Sequence, residues 1–224
     1  MFKDIKLGFK MVKYGIQSKQ MIISGVVFFG LGLIFLITGN IMQPLIGMMY
    51  LMMCFSFFTQ ATTSLTLSSC VASSAVKKRL ALKVPVVING LGSLVGYLAG
   101  FIVLVLKYYV LSPNSGVPTS EISTVLIVAG ILSLVVQIYM MIAYKVFFII
   151  SLMVFFVCFF PLYGLMNYFT AKVGELNVSL GAAAGIGIVV VLIGTVLTYF
   201  VGKALYRRPI DSWYYKRSIA NATK

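Results

Sequence analysis

Apolar residues in this chain run together for about twenty positions at a time, and polar residues collect in the gaps instead of alternating with them. A helix rising 1.5 Å per residue needs about 20 apolar residues to cross a hydrocarbon layer ~30 Å thick. Met21 to Thr38, Met42 to Leu67, Val84 to Leu106 and Val178 to Leu205 meet that condition. A further apolar stretch, Ile122 to Tyr168, is broken only by Lys145. As one helix it would be about 70 Å long, more than twice the layer, so it must fold back. A charge costs a few kcal/mol at mid-membrane and almost nothing at the interface, which puts the turn at Lys145. The pattern predicts an all-α, polytopic membrane protein with six transmembrane helices in one domain. Residues 1–20 precede the spans, 21–205 hold them, and 206–224 form a tail.

Composition agrees with this reading. The chain is 61% hydrophobic and 10% charged, with a mean hydropathy of +1.05, whereas soluble domains are about a quarter charged. Charge then sets the orientation, because Lys and Arg in short loops stay on the side from which the chain was inserted. Lys3, Lys6, Lys10, Lys13 and Lys19 precede the first span, and Lys77, Lys78, Arg79 and Lys83 separate the second from the third. With Lys145, Lys203, Arg207, Arg208, Lys216, Arg217 and Lys224, they all fall on one side of a six-span arrangement, leaving only Lys107 and Lys172 opposite. Both termini are therefore expected in the cytoplasm and the protein in the plasma membrane. The long polar lead-in and the length of the first apolar run argue against a cleaved signal peptide. The net charge of +14 flanks apolar spans and mixes with aromatics, as anchors on anionic headgroups do, so nucleic acid is not expected as a partner.

Two segments outside the bilayer core carry a pattern. Phe2, Ile5, Phe9, Val12 and Ile16 recur at helical spacing among Lys3, Lys6, Lys10 and Lys13, which predicts a basic amphipathic helix in the interface. The second span runs without Gly or Pro into Ser73, Ser74, Val76, Lys77, Lys78, Arg79, Leu80 and Lys83. Pro85 follows, where it suits the first turn of a new helix. This reads either as a short docking helix or as an ordinary basic loop.

Catalytic chemistry is missing from the pattern. There is no His, and Asp4, Glu121, Glu175 and Asp211 all fall outside the predicted spans. That argues against a metal, a nucleophile–base pair or a carboxylate-coupled ion pathway at depth. Cys54, Cys70 and Cys158 lack metal-ligand spacing. No enzyme activity and no cofactor of the chain's own are expected. The spans do hold Gly92, Gly96 and Gly100, and Gly181 with Gly185, at the spacing of closely packed helices. The uncharged polar residues Gln60, Thr62, Thr63, Asn89, Gln137 and Asn167 could tie helices together or line a pathway for bulky, amphipathic cargo.

Taken together, a basic interfacial helix, six spans, a long second helix ending in a basic element and short outer loops resemble the membrane permease subunit of type-2 ATP-binding-cassette exporters. Among these the chain is most similar to bacterial permeases that export phenol-soluble-modulin-type peptides. The resemblance implies a homodimer or heterodimer of permeases, each gripping a separate ATPase subunit that holds ATP and Mg. It assigns ATPase coupling to Ser73 to Lys83, a connecting helix to Lys3 to Lys19 with Lys6, Phe9, Lys10 and Lys13, and outer re-entrant elements to Pro161 to Leu180. Two rival readings are the substrate-binding membrane subunit of a vitamin importer and a non-transporting scaffold or accessory protein.

Overall fold

The computed structural model describes residues 2–14, 18–38, 43–65, 75–111, 119–143, 168 and 178–206, and among these helix dominates and no strand occurs. The elements are α1 (Phe2–Tyr14), α2 (Ser18–Thr38), α3 (Gln43–Leu65), α4 (Arg79–Leu111), α5 (Thr119–Ala143) and α6 (Leu180–Leu205). Helices α4, α5 and α6 are long and apolar enough to cross a membrane, while the apolar cores of α2 and α3, Ile22–Thr38 and Pro44–Thr59, are shorter. The expected fifth span, its turn at Lys145, most of the outer elements from Pro161 to Leu180 and the tail lie outside the described residues.

Glycine contacts give the direction of each helix. Cys54 abuts Gly25 and Leu51 abuts Gly32, so α2 and α3 are antiparallel. Phe55, Leu51 and Met48 abut Gly92, Gly96 and Gly100 in turn, so α3 and α4 are antiparallel too. Helices α5 and α6 instead run parallel, with Gly130 against Gly187, Leu134 against Gly194 and Met141 against Gly202. Ala143 and Val178 therefore sit at opposite ends of the bundle.

Helix α4 is the centre of the fold. At about 50 Å it outruns the hydrocarbon layer at both ends. The sequence suggests a short basic helix followed by a new one at Pro85; the structure has one continuous helix instead. Its first turn, Arg79–Lys83, is π-helical, with the Val84 amide donating to the Arg79 carbonyl. A proline has no amide to give and its ring crowds the carbonyl four residues back. Widening the preceding turn makes room for Pro85 without breaking the helix.

The core gathers around α4: Met48, Leu51, Met52, Tyr97, Leu104, Leu126 and Val191 are buried together. Tyr97 is fully covered and its hydroxyl donates to the Leu126 carbonyl at 3.2 Å. Between α2 and α3 the filling is aromatic, with Phe28 edge-on to Tyr50 and Phe57, and Phe35 stacked on Tyr50.

Candidate functional site at the basic end of the bundle

The antiparallel registers bring the start of α2, the start of α4 and the close of α6 to one end, and α1 lies across it. That end collects Lys3, Lys6, Lys10 and Lys13 from α1 with Lys19, Lys77, Lys78, Arg79, Lys83 and Lys203, and Asp4 is the acid among them. The opposite end carries Lys107 and Glu121. Lys107 belongs to the last, π-helical turn of α4, where its ammonium donates to the Leu36 carbonyl at 3.0 Å. It thus caps a carbonyl in the last turn of α2, which the helix itself leaves without a partner. Glu121, placed before the fourth span by sequence, stands in the first turn of α5, where the helix dipole favours an anion.

Helix α1 is held on the base by apolar packing and one ion pair. Met11 is buried with Val84 and Ile88, and Leu7, Phe58 and Leu80 pack around them. Gly8 is covered by Ile88 and Val84, and a side chain there would collide with Ile88. Arg79 Nε donates to Asp4 Oδ1 at 2.6 Å. That bond and the guanidinium's charge hold the Asp4 carboxyl below its ordinary value of 3.8. Asp4 is mostly covered, at 15% exposure, while Arg79 is 43% exposed.

This corrects the apolar face read from sequence. Among the described side chains of α1 the covered residues are Gly8, Met11 and Val12, whereas Phe9 is exposed. The helix has three sectors: one on the protein, Phe9 facing outward, and the lysine face of Lys3, Lys6, Lys10 and Lys13. Sequence periodicity alone cannot separate an apolar residue that packs on protein from one that meets lipid.

The expected coupling residues lie beside α1. Val76, Lys77, Lys78, Arg79 and Lys83 are exposed, and Leu80 is half-buried against α1. Leu82 turns inward, buried with Val86 and Met141. Ser74 lies outside the described residues. The sequence reading missed the Asp4–Arg79 pair, which joins segments 75 positions apart.

The expected pathway residues resolve differently. Asn89 and Gln137 are buried and tie helices together. The Asn89 amide donates to the Gln137 backbone carbonyl at 3.2 Å. The Gln137 amide donates to the Val191 carbonyl at 3.2 Å, and its carbonyl accepts from the Thr195 hydroxyl at 3.0 Å. Thr62 bonds back to its own helix at Thr59. Of the two roles left open by the sequence, the structure assigns Asn89 and Gln137 to helix association in this conformation. Thr59 Oγ1, Asn89 Oδ1 and Ser93 Oγ remain buried without a hydrogen-bond partner. Gln60 and Thr63 belong to α3, with side chains outside the described set, and Asn167 lies outside the described residues.

The glycine expectations divide. Gly92, Gly96 and Gly100 are buried against α3 as expected, but Gly181 and Gly185 are exposed with open space around them. The packed stripe of α6 is Ala183, Gly187, Val191, Gly194, Thr198 and Gly202. Among the described residues no group of His, Cys, Asp or Glu is placed to hold a metal. Comparison of the chain with protein-family models, with curated proteins and with solved structures finds no match.

Proposed function

We propose that the chain is the membrane permease subunit of an ATP-driven, type-2 ATP-binding-cassette exporter. In this reading it moves amphipathic or hydrophobic cargo, such as a peptide toxin, an antibiotic or a lipid, out of the cell. The observation that carries the reading is the platform at the basic end. There α1 and the start of α4 are bound to each other by Asp4–Arg79 and the Met11 cluster, and α4 continues without a break into the bundle. Force applied by a soluble motor at Lys77 to Lys83 would enter a helix that contacts α3, α5 and α6, rather than being lost in a loop.

Six crossings with both ends inside complete this reading. Because α5 and α6 are parallel, Ala143 and Val178 lie at opposite ends of the bundle, as one further crossing between them would require. The basic end then faces the cytoplasm by the distribution of Lys and Arg. ATP and Mg belong to the partner ATPase, which binds beside a second permease subunit, identical or different. Asn89 and Gln137 tie helices together in this conformation, and in this reading cargo passes between two permeases. Closure of the ATPases shifts the permease pair between inward and outward states, which requires contacts that differ between the two; Lys77, Lys78, Arg79 and Lys83 supply them.

The test is purification of the native complex in mild detergent and a search for a copurifying protein with a phosphate-binding loop. An ATPase whose turnover falls when Arg79→Ala is introduced supports the reading. A stable chain that brings down no ATPase returns it to the scaffold alternative. Labelling of a Lys78→Cys variant by a membrane-impermeant thiol reagent from outside the cell would invert the orientation and remove the proposal's base.

A further inference from the structure

We propose that the groove between the lead-in to α4 and the last turn of α6 is a binding site for an anionic phospholipid headgroup. The groove has a volume of about 450 Å³ and is lined by Lys78, Phe200, Lys203, Ala204 and Tyr206. Lys78, just before α4, and Lys203, in the last turn of α6, thus line one space, and no acid is among the described lining residues. Opposite this face, Gly202 is packed on Leu82 and Met141, which fixes the two helices that frame the groove relative to each other.

Depth and neighbouring surface select a lipid over a soluble anion. Helix α6, 26 residues long, spans about 39 Å, so its last turns project beyond a ~30 Å hydrocarbon layer into the headgroups. Along α6, Ile193, Leu197 and Phe200 are exposed at 48%, 41% and 58%. Their spacing puts them on one line that runs down to Ala204 in the groove wall. An acyl chain laid along that line meets apolar side chains while its phosphate reaches Lys78 and Lys203. The carbonyl end of α6 repels an anion, so binding rests on the two lysines, and basic pockets at this membrane face take anionic headgroups.

The proposal stands apart from the ATPase reading, and its test uses the full chain alone. Native mass spectrometry of the detergent-purified protein would count retained lipids after addition of phosphatidylglycerol or phosphatidylcholine. Retained phosphatidylglycerol is expected to exceed phosphatidylcholine roughly thirtyfold, the effect of two lysines beside one headgroup. Lys78→Gln with Lys203→Gln should abolish the excess, Lys203→Arg should keep it, and Lys3→Gln with Lys19→Gln should leave most of it. Equal retention of the two lipids by the unmodified chain overturns the proposal, whatever the variants do. So does an excess that survives the Lys78→Gln, Lys203→Gln change, or displacement of the lipid by millimolar inorganic phosphate, which would mark a site for the free ion.

Discussion

Helix α4 carries two neighbouring stripes with the same four-residue spacing and opposite chemistry. Gly92, Gly96 and Gly100 lie against α3 with no polar side chain among them. Asn89, Ser93 and Tyr97 lie toward α5 and α6, and two of the three reach a carbonyl across the gap. In lipid the hydrophobic effect does not drive helices together, so association needs either very close approach or interhelical hydrogen bonds. This helix uses one on each side. The glycine stripe meets unyielding backbone at Gly96, whereas the polar stripe, with Asn89 Oδ1 and Ser93 Oγ lacking partners, is not fully satisfied. The first therefore fixes the fold, and the second is where the helices are more easily rearranged.

The largest expected effect comes from filling the close approach. A Cβ at position 96 would lie 2.8 Å from the Leu51 carbonyl oxygen and 3.0 Å from the Met52 Cα. Neither is the tip of a side chain that could swing away, so α3 and α4 must separate. Gly96→Leu should cost about 3 kcal/mol or prevent folding. Gly181→Leu, where nothing lies within 4 Å, should stay within about 0.5 kcal/mol. Thermal unfolding in detergent measures both. Equal losses would mean that Gly181 meets a surface outside the described residues.

The polar stripe should respond less. Gln137→Leu removes the bonds to Val191 and Thr195 but leaves the backbone carbonyl that Asn89 uses, so a loss of about 1 kcal/mol is expected. A double-mutant cycle with Thr195→Val should return a coupling of about 0.5 kcal/mol or more. A coupling of zero would make the two residues independent and dissolve the proposed tie. Ser93→Ala removes a buried hydroxyl with no partner, and stability should stay level or rise by up to about 1 kcal/mol. A fall in stability of more than about 1 kcal/mol would show that this hydroxyl has a partner after all.

Much of this contrast was visible in the sequence, and the part that was not has a physical reason. Apolar length alone located α2, α3, the body of α4, the start of α5 and α6, since a span must be apolar for about twenty residues. The glycine stripe of α4 was legible because Gly92, Gly96 and Gly100 repeat at four-residue spacing and so share one face. Helix α6 offers small residues in two frames, Gly181 with Gly185 and Ala183 with Gly187. Which frame packs is decided by Tyr97 and Gly130 on other helices, and nothing in the α6 segment displays them. The continuity of α4 through Pro85 was hidden because a π turn has no residue signature of its own. Asp4 and Arg79 were read as separate charges because their pairing depends on α1 lying across the base, a tertiary fact.

The smallest expected effect concerns that pairing, where a partly exposed ion pair meets water and salt. Asp4 is held below 3.8 by Arg79, so the folded state binds its proton more weakly than the unfolded chain does. Its contribution to docking is therefore complete above the unfolded value and fades as pH falls through the lower, folded one. Hydrogen exchange of the α1 amides from Leu7 to Val12 should accordingly show the same intrinsic-rate-corrected protection between about pH 5 and pH 8, with a decline only below about pH 4. Asp4→Asn should reproduce the acid state at neutral pH, and 1 M salt should weaken protection in the unmodified chain while leaving the variant unchanged, because the screening length falls to about 3 Å. Protection that ignores both the substitution and salt would assign the docking of α1 wholly to Met11, Val84 and Ile88. The base would then resemble the glycine side of α4, held by shape, rather than the polar side, held by hydrogen bonds.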